Sequence, residues 1–375
     1  MRSVKFELEA IDSLQSHLKI LRAKKVLLVT GKKSYAKSGA KKIIENLDGD
    51  FEFIRFKEFD ENPNILDVEK GVRIFKKNDC GCILAIGGGS SIDMAKLIKF
   101  FAPKTEPYLN KFDIQLSPDD NIPLIAIPTT AGTGSEATQF AVVYVGLEKY
   151  SISDILLLPN HVAIISELHL SQTKYQKAVS GLDAFSQAIE SFWSVNSTEE
   201  SRDYSLKALK LIIPSLQEIV FGEGDLVAYK NMALGAYLAG KAINIAKTTA
   251  PHAFSYYLTK RFNLPHGHAV AVFLPSFISY NFYLNNNHNL DYDCKQKFLL
   301  SELNKLLPSK PSSKSLATNI ENFILSLGVE IDINRLGISK QDMIIALKSG
   351  NAQRLKNNPR EFDLHDFVKE TSMFR

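Results

Sequence analysis

Two clusters of glycine and hydroxyl residues have the composition of a phosphate-binding site. In the first, Gly87, Gly88 and Gly89 precede Ser90 and Ser91, at the point where an apolar segment ends and a helical pattern begins. Glycine lets the backbone approach a phosphate closely, and the first turn of a helix offers free amides and the positive end of its dipole. Either serine can cap that helix and donate to a phosphate oxygen. A tight turn without a ligand is the alternative, since the run lacks the G-x-G-x-x-G spacing of dinucleotide-binding folds.

The second cluster favours a ligand. The segment Pro128–Glu136 places Thr129, Thr130 and Thr133 among glycines directly after the apolar run Leu124–Ile127. Small polar residues at the end of a buried strand suit a pyrophosphate and a ribose lying across the strand ends. We therefore predict that both clusters contact a dinucleotide.

The elements that must position these clusters alternate in a strand, helix, strand order. The predicted strands are Val26–Val29, Phe51–Phe56, Cys82–Ile86 and Leu124–Ile127. Apolar residues recur at helical spacing between Leu66 and Phe75. This order predicts a parallel sheet with both faces covered, which binds ligands at the carboxyl ends of its strands.

The second half of the sequence has a different texture. After about residue 170 helical patterns dominate, at Ala178–Phe192, Ser201–Ile219, Val227–Ile245 and beyond Lys297. We predict an α/β domain over residues 1–170 and an all-helical domain over residues 171–375. The polar stretch Asn281–Asp293 is predicted to be a surface loop.

Length and composition are those of a two-domain globular protein. The chain has 375 residues, of which 45% are hydrophobic and 23% charged, and its net charge of +4 gives no reason to expect nucleic acid or a membrane as partner. Three cysteines (Cys80, Cys82 and Cys294) without zinc-like spacing indicate a reducing compartment. No run approaches the roughly 18 apolar residues of a membrane span, and the N-terminus lacks a signal-peptide core. We predict a cytosolic protein.

Five segments resemble signatures of the iron-containing (group III) alcohol dehydrogenase family, in order and spacing. They are Gly87–Lys96, Pro128–Glu136, Gly181–Ala184, Pro265–Gly267 and Asn357–Arg360. The resemblance covers essentially the whole chain. It implies the two-domain fold shared with dehydroquinate synthases, with a dinucleotide-binding α/β domain, a helical domain and a metal in the cleft between them. It also implies an NAD(P)-dependent alcohol dehydrogenase or aldehyde reductase.

The resemblance also bears on the cofactor. Many NAD-using relatives carry an Asp at the position of Gly31, where a carboxylate would repel a 2′-phosphate. With Gly31 followed by Lys32, we predict NADPH rather than NADH; a solvated basic turn is the alternative interpretation. Asn62 and Lys149 also lie where relatives contact the dinucleotide. The full set of predicted cofactor contacts is Gly31, Lys32, Asn62, Gly88, Gly89, Ser90, Asp93, Thr129, Thr130, Thr133 and Lys149.

The metal site implied by the family departs from the usual pattern. Relatives carry Asp-x-x-x-His on one helix and two later histidines, whereas this sequence has Asp183, Gln187, His252 and His266. An amide is a poorer ligand than imidazole for Fe²⁺ or Zn²⁺, but Asp183 and two histidines still suit a catalytic divalent metal. Gln187 is either a weak fourth ligand or a partner for a metal-bound water. A metal-free site, as in the related maleylacetate reductases, is the other interpretation.

A basic segment precedes His252, where relatives usually have small apolar residues. Lys241, Asn244, Lys247 and Thr248 recur at spacings that would put them on one helical face. Buried lysines without acidic partners favour an anionic ligand, whereas an exposed face would only solvate them. This segment, Gln187 and Asn196–Arg202 resemble the phosphonoacetaldehyde reductase branch, which implies that Arg202 joins the substrate contacts.

The predicted activity is reduction of phosphonoacetaldehyde, a small anionic aldehyde, to 2-hydroxyethylphosphonate in phosphonate biosynthesis. Tyr256 or a metal-bound water would return the proton, and we expect a homo-oligomer, a dimer. The rivals are a general dehydrogenase of short aliphatic alcohols or diols, a dehydroquinate synthase-like lyase, and a non-catalytic nucleotide-binding relative. The other histidines are interpreted as surface or satisfied structural residues: His17, His161, His169, His288 and His365, with His268 left open.

Overall fold

The chain forms two compact units, Met1–Gln172 and Thr173–Arg375. In this computed structural model the described residues are 5–8, 11–21, 24–47, 51–104, 122–146, 148–222, 225–282, 294–307 and 316–374. The boundary between the units lies two residues after the one predicted from the change to helical sequence patterns. Each unit has its own elements and its own core.

The first unit is built on a parallel sheet, as predicted, and the sheet has six strands. Its spatial order is β1-β8-β5-β4-β2-β3, and every neighbouring pair is parallel. The strands are β1 (Lys5–Leu8), β2 (Lys25–Thr30), β3 (Glu52–Phe56), β4 (Cys82–Gly87), β5 (Leu124–Pro128) and β8 (His161–Ile164). The four strands predicted from apolar runs are therefore confirmed as β2, β3, β4 and β5.

Helices cover both faces of this sheet, which explains why its strands are apolar throughout. They are α1 (Ile11–Ile20), α2 (Ser34–Lys37), α3 (Ala40–Glu45), α4 (Ile65–Lys77) and α5 (Gly89–Phe101). Alternate residues of β2 enter different cores, since Leu27 lies in the core under α4 and α5, and Leu28 in the core under α1 and α3. A strand buried on both faces has no polar side to present.

A separate hairpin extends the first unit. Strands β6 (Phe140–Val145) and β7 (Glu148–Ser153) pair antiparallel, with Tyr144 opposite Lys149. The backbone amide of Tyr144 donates to the Pro63 carbonyl at 2.8 Å, which holds the hairpin against the turn before α4. The hairpin was not predicted, and it places Lys149 on the strand that pairs with β6.

The second unit is all-helical over its described residues, as predicted. Its helices are α6 (Lys174–Trp193), α7 (Glu199–Phe221), α8 (Leu226–Ala246), α9 (Ala250–Phe262), α10 (His266–Phe282), α11 (Cys294–Leu306), α12 (Leu316–Ser326), α13 (Lys340–Lys348), α14 (Ala352–Leu355) and α15 (Leu364–Glu370). An aromatic core joins α9, α10 and α15, where Phe277 lies 5.6 Å from Phe254 and 4.7 Å from Phe367 between ring centroids. Among the described helices, none has the length and apolar composition needed to cross a membrane.

The predicted surface loop over Asn281–Asp293 is wrong at its start. Asn281 is buried in the last turn of α10, and its amide exchanges hydrogen bonds with the side chain of Asn358 at 2.8 and 3.3 Å. A polar side chain with a matched amide partner can be buried, so composition alone misplaced it. Residues 283–293 of the predicted loop lie outside the described residues.

Candidate functional site

The glycine and threonine clusters meet at the carboxyl ends of β4 and β5. The backbone amide of Thr129 donates to the Gly87 carbonyl at 3.0 Å. A Cβ atom added at Gly89 would lie 2.8 Å from the Thr133 hydroxyl oxygen, so only glycine allows this approach. The structure thus brings together two clusters that lie about 40 residues apart in the sequence, at the edge where parallel sheets bind ligands.

Helix α5 begins before the two serines that were predicted to cap it. Gly88 occupies the cap position without a side-chain hydrogen bond, and Gly89 is the first helical residue. The prediction that Ser90 or Ser91 caps the helix is therefore wrong, because both lie in its first turn. A side chain at Gly88 would approach the Thr130 hydroxyl at 3.3 Å. The free amides of this turn face no capping side chain and remain donors for an anion.

Two charged residues on α5 fix the loop that carries the threonines. Lys96 is fully buried, and its ammonium group donates to the carbonyls of Thr138 (2.7 Å) and Phe140 (3.0 Å) as well as that of Ser135. Burial lowers the pKa of Lys96 to about 8. Asp93, predicted to bind the cofactor, accepts from the Ser135 hydroxyl and from the Val142 amide (3.1 Å). Its contacts in the structure anchor the loop and the hairpin.

The turn after β2 is basic, with one acidic neighbour. Gly31 is followed by exposed Lys32, whose ammonium lies 2.6 Å from the Asp60 carboxylate. That contact raises the pKa of Lys32. Arg55 of β3, which sequence reasoning missed, donates to the carbonyl of Gly31 at 3.1 Å and to the Thr30 hydroxyl at 2.8 Å. Lys32 and Arg55 therefore place positive charge at this turn, and Asp60 pairs with Lys32.

The remaining predicted cofactor residues lie near the hairpin. Asn62 is exposed in the turn before α4 and adopts a left-handed backbone conformation (φ 63°), which asparagine tolerates better than most residues. Lys149 is exposed on β7, opposite Tyr144, whose amide holds the same turn. Neither side chain is committed to the core.

A carboxylate and two imidazoles converge in the helical unit. One ligand atom from each of Asp183 on α6, His252 on α9 and His266 at the start of α10 lies within 4.8 Å of the others. Asp183 and His252 are buried, and a carboxylate oxygen lies 3.3 Å from His252 Nε2. Gly267 makes the convergence possible, because a Cβ there would lie 2.9 Å from the Cβ of Asp183. This donor set fits a divalent ion with open positions.

Glu190, one helical turn beyond Gln187 on α6, holds the ligand histidine in place. Its carboxylate lies 2.5 Å from His252 Nδ1 and accepts from the amide (2.8 Å) and hydroxyl (2.9 Å) of Thr249. Burial alone would lower the pKa of His252, but Glu190 and Asp183 raise it above its ordinary value. Burial alone would raise the pKa of Asp183, but its contacts with His252 and His266 hold that pKa below its usual range. A carboxylate on the far nitrogen directs Nε2 of His252 toward the centre.

Gln187 contributes a hydrogen bond to the centre. Its amide nitrogen donates to the Asp183 carboxylate at 3.0 Å, and the side chain is buried. A donor to a ligand carboxylate orients that ligand. The three-residue donor set is thus supported by an amide where relatives are expected to carry a fourth ligand.

A cationic group adjoins the centre. The ring of Tyr256 lies parallel to that of His266 with centroids 5.9 Å apart, and the Arg354 guanidinium lies 5.5 Å from the Tyr256 centroid. Arg354 donates to the hydroxyl of buried Thr248. Burial and the charge of Arg354 both lower the pKa of Lys247. Burial raises the pKa of Tyr256.

The predicted single helical face of basic residues is wrong. Helix α8 ends at Ala246, Lys247 has a positive φ (64°), and α9 begins at Ala250 with Pro251 in its first turn. Thr248 therefore lies beyond the helix. Asn244, still within α8, accepts a hydrogen bond from the Lys247 ammonium on its carbonyl at 3.1 Å.

Two predicted substrate residues, Lys241 and Arg202, make their contacts on α7 or in the turn that precedes it. The ammonium of Lys241 donates to the Tyr204 hydroxyl at 2.6 Å and lies 4.0 Å from the centroid of that ring. Arg202 donates to the carbonyl and hydroxyl of Ser197 at 3.2 and 3.1 Å. Of the predicted substrate residues, Thr248 is hydrogen-bonded to Arg354, and the charge of Arg354 lowers the pKa of Lys247.

Sequence reasoning missed Glu190 and Arg354. Glu190 had a usable signal, since it lies seven residues after Asp183 and so on the same face of α6. Arg354 had a weaker one, its position just before the matched segment Asn357–Arg360. The side chain of Asn357, in that segment, links two parts of the helical unit. Its amide nitrogen donates to the Thr248 carbonyl at 3.0 Å, and its amide oxygen accepts from the Asn196 side chain at 2.7 Å.

The other histidines divide into two groups. His268 is satisfied, with Tyr175 at 2.7 Å on one ring nitrogen and the Glu330 carbonyl at 2.6 Å on the other. The interpretation of His161 and His169 as surface or satisfied residues is wrong, because both are buried and make no ring hydrogen bond to any described residue. His288 lies outside the described residues.

Both units match models of one protein family. Residues 2–166 match the iron-containing alcohol dehydrogenase model, and residues 177–371 match the C-terminal model of the Fe-containing alcohol dehydrogenase family. A 1,3-propanediol dehydrogenase of Citrobacter freundii is 28% identical in sequence, and the alignment covers 94% of this chain and 92% of that protein. An NAD-dependent methanol dehydrogenase of Bacillus methanolicus is 26% identical, covering 96% and 94%.

A solved structure is similar over nearly the full length. The sulfoacetaldehyde reductase of Bifidobacterium kashiwanohense, solved in complex with NAD⁺, superposes with a TM-score of 0.85 at 25% identity and covers 98% of this chain and 96% of its own. The fold and the matches define an oxidoreductase of the alcohol dehydrogenase class. The chain belongs to the iron-containing alcohol dehydrogenase family.

Proposed function

We propose that the chain reduces phosphonoacetaldehyde to 2-hydroxyethylphosphonate with NADPH, at the centre formed by Asp183, His252 and His266. The observation that carries this proposal is the position of Arg354, 5.5 Å from the ring of Tyr256, which itself stacks on His266. Lys247 lies near enough to Arg354 for its pKa to be lowered. Two cations and the Thr248 hydroxyl suit a group with several anionic oxygens.

Different residues of the chain would hold the metal ion and position its ligands in such a reaction. Asp183, His252 and His266 would hold a divalent ion, and Glu190 keeps the His252 ring in position. When bound, the ion polarises the carbonyl and the nicotinamide supplies the hydride. The aldehyde gains one hydride and one proton, while NADPH becomes NADP⁺.

Substrate orientation and the proton are assigned to neighbouring side chains. Lys247, Thr248 and Arg354 bind the phosphonate and thereby fix the aldehyde carbon relative to the metal ligands, an orientation effect. The Tyr256 hydroxyl is protonated at neutral pH, as that of an ordinary tyrosine is, and burial raises its pKa further. We assign it the role of proton donor. Lys241 and Arg202 were also predicted to bind substrate, and their contacts with Tyr204 and Ser197 make their variants useful comparisons.

The proposed preference for NADPH rests on the turn after β2. Gly31 places no carboxylate there, and Lys32 and Arg55 supply positive charge. A 2′-phosphate would compete with Asp60 for the Lys32 ammonium. NADH is the alternative, and relatives named as NAD-dependent favour it.

A second candidate is a general dehydrogenase of short alcohols or diols. The names of the relatives, which act on 1,3-propanediol and methanol, favour it. The sulfoacetaldehyde reductase favours an aldehyde with an anionic group instead. The two candidates differ in what the cationic group beside Tyr256 does.

Steady-state assays of the metal-loaded protein separate these candidates. NADPH oxidation is followed with phosphonoacetaldehyde, propionaldehyde, butanal and lactaldehyde, and then with NADH. Two charge-assisted contacts predict that kcat/KM is higher for phosphonoacetaldehyde by roughly ten- to hundred-fold. Equal or better turnover of the neutral aldehydes identifies a general dehydrogenase, and an absence of net NADPH oxidation with every aldehyde removes the reductase assignment.

A further inference from the structure

A second group of potential metal ligands lies at the edge of the parallel sheet in the first unit. Glu7 on β1 and His161 on β8 share one face of the sheet, because Lys5 is paired with His161 in parallel register and Glu7 is two residues further along. Helix α1 covers that face through buried Leu14 and Leu18, and His17 lies between them in the sequence. Three elements thus bring Glu7, His17 and His161 together.

The distances suit a small cation. One ligand atom from each of the three residues lies within 4.8 Å of the others, and Glu7 Oε2 is 3.4 Å from His161 Nε2. Two ligands of a tetrahedral zinc at about 2.0 Å lie about 3.3 Å from each other. The other carboxylate oxygen of Glu7 lies 2.8 Å from the Lys5 ammonium, which orients the carboxylate. The rings of His17 and His161 stack with centroids 3.9 Å apart.

His161 supplies an independent indication of a ligand. It is 2% exposed, yet neither ring nitrogen makes a hydrogen bond to any residue that the structure describes. A buried polar group without such a bond is costly and calls for an ion or another partner. Imidazole nitrogens are common ligands of divalent metals.

We propose that Glu7, His17 and His161 form a second divalent-metal site, of the zinc class, separate from the catalytic centre. Two imidazoles and one carboxylate are ligands that zinc accepts, with water in the fourth position. An ion there ties β1 and α1 to β8 and so closes the edge of the sheet. Its role is structural, since the reacting groups are assigned to the other unit.

Zinc content per chain tests the site. The full-length protein is equilibrated with excess zinc, desalted and analysed for metal, alongside His17→Gln and Glu7→Gln. Each variant is expected to hold about one zinc ion fewer per chain than wild type. The exposed histidine of α15, changed in His365→Gln, is the matched control and keeps the wild-type zinc content.

A second readout guards against damage to the fold. Zinc raises the Tm of wild type more than that of His17→Gln, because the variant lacks one site whose occupancy stabilises the folded state. Aldehyde turnover stays at the wild-type level, which shows that the catalytic centre is intact. Equal zinc content and an equal zinc-dependent rise in Tm for wild type and both variants overturn the proposal.

Discussion

His252 is held from both sides, and this is what makes it a good ligand. Its Nε2 faces Asp183 at 3.3 Å, while its Nδ1 is fixed by Glu190 at 2.5 Å. The same carboxylate accepts from the amide and hydroxyl of Thr249, so Glu190 is itself held in place. A ligand whose orientation is set before the metal binds loses less entropy on binding.

Replacing Glu190 should therefore weaken the metal without removing a ligand. We expect Glu190→Gln to raise the dissociation constant of the divalent ion by roughly ten- to hundred-fold, as loss of an outer carboxylate does elsewhere. Competition with a chromophoric chelator measures it. Glu218→Gln, an exposed carboxylate of α7, serves as control, and an unchanged affinity in Glu190→Gln would show that the contact does not support the centre.

At the scale of single residues, the sequence predicted the metal ligands better than the residues that hold those ligands in place. The resemblance pointed to Asp183, His252 and His266, and the structure brings them together. Arg354 lies more than 80 residues from His266, and no local spacing relates the two. Such neighbours are created by tertiary packing, which is why sequence reasoning favoured Lys241 instead.

At the scale of elements, the loop after β5 depends on one buried ammonium group. Lys96 donates to three carbonyls of the segment 135–140 and to the Thr138 hydroxyl. These bonds and the nearby carboxylates of Asp93 and Glu136 offset the cost of burying the charge. The loop geometry that brings Thr133 to Gly89 therefore depends on α5 as much as on β5.

Lys96→Met keeps the stem of the side chain and removes the donor. We expect a loss of about 3 kcal/mol or more in the free energy of unfolding, since several buried carbonyls lose their partner. The affinity for NADPH should also fall. Urea unfolding and NADPH titration measure both, with the exposed Lys70→Met expected to change stability by less than about 1 kcal/mol. Wild-type stability in Lys96→Met would contradict the anchoring role.

The turn after β2 predicts the cofactor preference. In Gly31→Asp the new carboxylate repels a 2′-phosphate, so KM for NADPH should rise by about ten-fold or more while KM for NADH changes little. Gly31→Ala is the matched control, because its Cβ meets the same Ser34 side chain without adding charge. Equal effects of both variants on the two cofactors would remove the role of charge at this turn.

Element boundaries show where local signals are strong and where they are weak. Pro251 signals the start of α9, since proline favours the first turn of a helix, and this cue separates α8 from α9. The periodicity of Lys241, Asn244 and Lys247 suggested one continuous helix across that break. The helical pattern Val227–Ile245 predicted the end of α8 to within one residue. The positive φ of Lys247 (64°), which takes Thr248 off the helical face, has no sequence signature comparable to glycine and was not predicted.

At the scale of the whole molecule, apolar runs predicted the parallel sheet and helical periodicity predicted the second unit. These patterns are strong because β4 and β5 are buried on both faces and have no alternative to apolar residues. The short edge strand β1 and the hairpin of β6 and β7 were not predicted. Short strands carry little periodicity, and their pairing is decided by partners far away in the sequence.

The most direct measurement is the ratio of kcat/KM for phosphonoacetaldehyde to that for propionaldehyde, in metal-loaded wild type and in Lys247→Gln and Arg354→Met. Lys241→Met, which changes a lysine that contacts α7, is the comparison. We predict that the ratio falls by about ten-fold or more in the first two variants, because each loses a charge-assisted contact made only with the phosphonate. Propionaldehyde turnover should stay within about two-fold of wild type. A parallel fall for both aldehydes, or a wild type that prefers propionaldehyde, would contradict an anion-binding site beside Asp183, His252 and His266.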